Sequence, residues 1–113
     1  MRPRPRGRIA IRWGFVLVTG EANMLDLKDL RCFVSVYDRK GFARAAVELG
    51  TVQSNISARV RRLENEIGAP LFERLHRGIR PTPKGEIMYS YAMRVLTDVS
   101  ELEAAMRVDR QVA

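Results

Sequence analysis

Between Gly50 and Gly68 the chain reads TVQSNISARVRRLENEI, with its large apolar residues at Val52, Ile56, Val60, Leu63 and Ile67. Steps of four and three residues hold these in one narrow stripe of a 3.6-residue helix. A helix over about Val52–Ile67 is therefore the element the rest of the chain must accommodate. Its stripe needs a partner surface. Just upstream, Phe42, Ala45, Ala46 and Leu49 mark a second, shorter helix, whose paired alanines admit another helix at close range. Gly50 suits the left-handed residue that closes a helix, and Thr51 is the expected N-cap of the next. Helix, short glycine turn, helix is the helix-turn-helix arrangement, although many two-helix hairpins share this spacing.

The flanking segments extend the pattern. Leu27, Leu30, Phe33, Val34 and Tyr37 share one helix face, with Asp26 as cap and Lys40-Gly41 as the stop. Cys32 is expected to pack beside that face. After Gly68 the helical period ends at Ala69-Pro70. Leu71–Arg74 and Ile79–Thr82 then read as two short strands around the turn Leu75–Gly78. A hairpin there is a wing. Thr82-Pro83-Lys84-Gly85-Glu86 has the chemistry of a helix entry, with Thr82 as N-cap and Pro83 at the first helical position. The last helix is expected to run to about Val108. Met88, Ala92, Val95, Val99, Leu102 and Met106 form a heptad seam along it. Three short helices cannot cover a seam of that length, and a second copy of the chain is the simplest surface to do so. Packing against its own domain alone is the competing reading.

Composition narrows the chemistry. With 113 residues the chain holds one domain. Its formal charge of +7 is unevenly spread: +4 over residues 1–23, +1 over 24–50, +4 over 51–85 and −2 over 86–113. A basic middle beside an acidic last helix favours an acidic partner at the middle, nucleic acid being the commonest. One cysteine and one histidine exclude a disulfide, a cysteine-built zinc site and a histidine-based triad. No cofactor, metal or catalytic residue is expected. Glu64 and Glu66, two apart on a helix, face different sides and make no acid–base pair. The chain lacks a run of transmembrane length, so a cytoplasmic location and no membrane partner are expected. Residues 1–23 read as a basic, disordered extension. A signal peptide is disfavoured because Arg12 interrupts the apolar middle, and an arm that adds DNA affinity is the other alternative.

An amide and two hydroxyls at the head of the long-striped helix, with Arg61 and Arg62 behind, suit the major groove. Base edges there offer paired donors and acceptors, and phosphates flank them. An ordinary amphipathic surface helix would carry the same stripe. The blocks Phe42-Ala43-Arg44-Ala45-Ala46, Gln53-Ser54-Asn55-Ile56-Ser57, Arg62-Leu63-Glu64 with Gly68, Leu71-Phe72-Glu73-Arg74, and Pro81-Thr82 with Gly85 occur in this order. Together they resemble the N-terminal winged helix-turn-helix domain of LysR-type transcriptional regulators, from about Met24 to Val108.

The resemblance implies a mainly α winged helix-turn-helix over residues 24–82, a linker and dimerisation helix over 83–108 and a short tail over 109–113. It implies sequence-specific binding of double-stranded DNA, an inverted-repeat operator and a homodimer or higher homo-oligomer. By position in the motif, Gln53, Ser54 and Ser57 would read bases. Thr51, Arg59, Arg61 and Arg62, with Arg74, Arg77 and Arg80 of the wing, would contact the backbone. The dimer interface would be Met88, Ala92, Val95, Val99, Leu102 and Met106. The sequence departs from the family where Val52 and Gly41 stand for a frequent Ser or Thr and a Ser, and where Ala58 stands for a frequent Arg. The family's inducer-binding domain is not in these 113 residues. The chain is thus expected to be a fragment, or a truncated regulator with no small-molecule effector site. The rival function is a protein-interaction module that forms mixed dimers with full-length relatives through the long helix.

Overall fold

A computed structural model describes residues 25–112, with side chains as far as Val108. The extension read over residues 1–23 lies outside them. Four helices and a two-stranded hairpin follow in order: α1 (Leu27–Arg39), α2 (Phe42–Leu49), α3 (Gln53–Ile67), β1 (Phe72–Arg74), β2 (Ile79–Pro81) and α4 (Pro83–Val112). The fold is the expected mainly helical winged helix-turn-helix. The last helix runs past the expected end at Val108.

Local chemistry sets the boundaries. The Asp26 carboxylate accepts from the Lys28 N–H at 2.7 Å and starts α1. The helix ends on Lys40 in the left-handed region, φ 60°. Gly50, φ 67°, closes α2, and the Thr51 N–H reaches back to the Ala46 carbonyl at 2.9 Å. The expected Thr51 cap of α3 is corrected: Val52 occupies the N-cap position with no side-chain hydrogen bond. Thr51 instead accepts from the Asn55 amide at 3.2 Å. Thr82 does cap α4. Its hydroxyl accepts from the Gly85 N–H at 3.0 Å and donates to the Pro70 carbonyl at 2.7 Å. One side chain thereby seats α4 on the segment that enters the wing.

Phe33, Val36, Ala45, Ile56, Leu63 and Leu71 are fully buried, so α1, α2, α3 and the start of the wing meet in one core. Phe72 of β1 lies against Phe33 and meets Phe42 edge-on. The α3 stripe is shorter than its spacing suggests. Ile56, Val60 and Leu63 are buried, whereas Val52 is 64% exposed because it precedes the helix. β1 and β2 pair antiparallel, Phe72 opposite Pro81 and Arg74 opposite Ile79.

The seam on α4 is divided. Ala92 is buried in the chain's own core, and Met88, Tyr89 and Leu96 pack against that core. Of the other seam residues, Val95, Leu102 and Met106 are exposed and Val99 is half-buried. Of the residues expected at a dimer interface, Ala92 is thus covered by its own domain and Met88 is half-buried against it. Ile87 and Tyr91 are exposed on the same helix.

Candidate nucleic-acid interface

Because Ile56, Val60 and Leu63 turn inward, the opposite side of α3 is left to solvent. Gln53, Ser57 and Arg61, four residues apart, form one row along the flank between the buried stripe and that open side, with Gln53 and Arg61 exposed and Ser57 half-buried. The row borders two shallow hollows. Phe42, Ser57, Arg61, Glu64, Pro70 and Arg74 line the one between α3 and the wing. Lys40, Arg44, Gln53, Arg74 and Gly78 line the other, between the head of α3, the start of α2 and the wing tip. The fold therefore brings Gln53, Ser57 and Arg61 of α3 together with Arg74 of the wing, which lies 13 to 21 residues further along the sequence. Ser54 is exposed one position round the helix.

The arginines divide into two sets. Asp29 of α1 is completely buried. It accepts from Arg59 Nη1 at 2.8 Å and from Arg62 Nε at 2.9 Å. Arg62 also approaches Asp26 at 3.5 Å. Arg59 and Arg62, read from the sequence as backbone contacts, thus clamp α3 to α1 on a different face of the helix from the Gln53 row. Arg61 and Arg77 form no salt bridge with any described residue and are exposed. In the wing, Arg80 is tied to Glu73 across the strands at 2.6 Å. The Arg74 guanidinium sits 4.8 Å from the centre of the Phe42 ring, a cation–π contact that holds it over the hollow.

Two basic residues escaped the sequence reading. Lys40 and Arg44 both line the hollow beside Gln53. Arg44 also donates to the Arg39 carbonyl at 3.2 Å, closing the end of α1. Their four-residue spacing across the α1–α2 turn was the available signal. Cys32 packs as expected, and burial pushes its thiol pKa up. No group of three or more metal-ligating side chains meets among the described residues.

Residues 27–86 match the model of the bacterial regulatory helix-turn-helix proteins of the lysR family. The chain belongs to the LysR family. CzcR, an HTH-type transcriptional regulator of Bacillus thuringiensis (strain Al Hakam), is 45% identical over 83 residues, 74% of this chain and 28% of that protein. BudR, an HTH-type transcriptional regulator of Klebsiella aerogenes, is 44% identical over 72 residues, 64% of this chain and 50% of that protein. The LysR-family chain thus spans about a quarter to a half of these relatives' lengths. Among solved structures, the BenM DBD in complex with catB site 1 DNA superposes with a TM-score of 0.71 at 34% identity, covering 74% of this chain and 92% of that one. The CbnR DBD–DNA complex gives 0.70 at 29% identity, covering 75% and 98%. The family is one of transcriptional regulators and not an enzyme class. No described helix of this LysR-family chain is long and apolar enough to cross a membrane.

Proposed function

We propose that this chain binds double-stranded DNA sequence-specifically, in the cytoplasm, as a dimer that regulates transcription. α3 enters the major groove, where Gln53, Ser54 and Ser57 meet base edges. Arg61, Arg74, Arg77, Lys40 and Arg44 meet phosphates around it, with Thr51 and Arg80 at the margins. Arg59 and Arg62 act indirectly, by fixing α3 on α1. The observation that carries this reading is the Gln53–Ser57–Arg61 row, exposed at Gln53 and Arg61 and half-buried at Ser57, flanked by Arg74 of the wing. That two relatives' domains were crystallised with DNA supports it. The dimer is joined along α4 through Val95, Val99, Leu102 and Met106, the part of the seam beyond the chain's own core. Two α3 helices then address an inverted repeat with half-sites about one turn apart, or a multiple of it.

Selection of bound duplexes from a randomised pool at near-physiological salt tests the reading. An enriched inverted repeat is the expected result. Retention without enrichment would overturn base reading, and an enriched single half-site would overturn the dimer. The same exposed apolar stretch on α4 also favours a second reading, in which the chain pairs with longer members of its family. Mixed species on co-expression with such a relative would distinguish it.

A further inference from the structure

One side-chain cluster at the edge of the core makes polar contacts that core packing does not require, and lies outside the α3 row. Tyr37 of α1 and Tyr89 of α4 stack face to face, centroids 3.7 Å apart and planes 11° from parallel. Each phenol then reaches across to the other helix. Tyr37 Oη donates to Glu86 at 2.6 Å, and Tyr89 Oη donates to Asp38 at 2.7 Å. Asp38 is next to Tyr37 in sequence, and Glu86 is one turn from Tyr89. Four side chains thus close a reciprocal clasp between the reading domain and the long helix. The rings are half-buried and the carboxylates exposed, so the clasp sits at the rim of the core and adds little burial. It does fix rotation and tilt, because a stacked pair with two crossed hydrogen bonds tolerates neither. Glu86 holds the Tyr37 phenol protonated, its pKa pushed up to about 12.

We propose that this clasp is a specificity device: Tyr37, Tyr89, Asp38 and Glu86 set the angle of α4 on its domain, and hence the half-site spacing that the dimer selects. The inference rests on the dimer reading above. The lever arm gives the scale. From Tyr89 to Leu102 the helix advances about 20 Å at 1.5 Å per residue. A tilt of about 10° at the clasp therefore moves one domain against the seam by about 3.5 Å, close to the rise of one base pair. Each protomer contributes its own angle. Loosening both clasps should then blur the register over neighbouring spacings while each α3 still reads its half-site.

The test uses the full chain and duplexes carrying two selected half-sites, with spacers stepped by one base pair. Wild-type protein is expected to favour one spacing over its neighbours by about tenfold. A Tyr37→Leu, Tyr89→Leu pair removes the stack. It should cut that ratio at least threefold while leaving affinity for a single half-site unchanged. A Tyr37→Phe, Tyr89→Phe pair keeps the rings and loses only the hydrogen bonds. It guards against misfolding of the first variant, and should cut the ratio by about half. An unchanged ratio in the Phe pair, or in a folded Leu pair, would overturn the clasp alone. A flat profile in the wild type would overturn the dimer reading and the clasp with it.

Discussion

Asp29 is the residue on which the placement of α3 turns. A carboxylate with no exposed surface costs several kcal/mol to desolvate unless it is paired and hydrogen-bonded. Arg59 and Arg62, one helical turn apart on α3, supply that pairing. The pair is asymmetric, because Arg62 keeps half of its side chain in water whereas Asp29 keeps none. Loss of the charge therefore strands no fully buried arginine, but it removes both ionic contacts of Asp29 with α3 and leaves the longer 3.5 Å approach of Arg62 to Asp26. Asp29→Asn is expected to cost about 1–3 kcal/mol, seen as a lower urea midpoint at unchanged m-value. A midpoint equal to wild type would show that apolar packing alone registers α3.

At the scale of elements, the seat of α4 is decided by Gly85. A Cβ built there would lie 2.2 Å from the Leu71 carbonyl oxygen, and that oxygen also accepts from the Thr82 N–H at 3.0 Å. A Cβ is fixed by its own backbone and would meet backbone there, so no side-chain rotation relieves the clash. Gly85→Ala should destabilise by about 1–3 kcal/mol or more, read as a drop in Tm. A neutral result would mean that α4 can lift off the wing. The helices themselves were legible in the sequence, because Leu30, Phe33, Phe42, Ala45, Ala46, Ile56, Val60 and Leu63 carry the 3.6-residue period and are buried. The outer row of α3 followed from the same period. What the period could not give is how helices cross. Asp29 meeting Arg59 depends on the α1–α3 crossing, and Tyr37 meeting Tyr89 on the α1–α4 crossing. Val52 looked like part of the stripe because spacing alone does not say at which residue a helix begins. The seam on α4 was legible as a period, but where the domain stops covering it, between Ala92 and Val95, is a matter of tertiary geometry.

For the whole molecule, charge and apolar surface divide the same way along its length. Residues 51–85, holding α3 and the wing, carry +4, and residues 86–113 carry −2. On the proposed reading, phosphates would repel the acidic helix, which keeps its exposed apolar stretch away from DNA and open to a partner protomer. A dimer bound at two half-sites gains the second at an effective concentration set by the rigid helix, typically about 10²–10⁴ in avidity. Placing a charge in the exposed stretch separates this gain from base reading. Leu102→Arg with Met106→Arg lies beyond every buried residue of α4 named above, so the domain should keep its stability. Sedimentation should then report a monomer, and affinity for an inverted repeat should fall at least about 10²-fold, to that of a single half-site. If the variant still sediments as a dimer, the protomers are joined elsewhere. If it is monomeric yet binds the repeat as tightly as wild type, the two half-sites are occupied independently, and nothing in α4 selects their spacing.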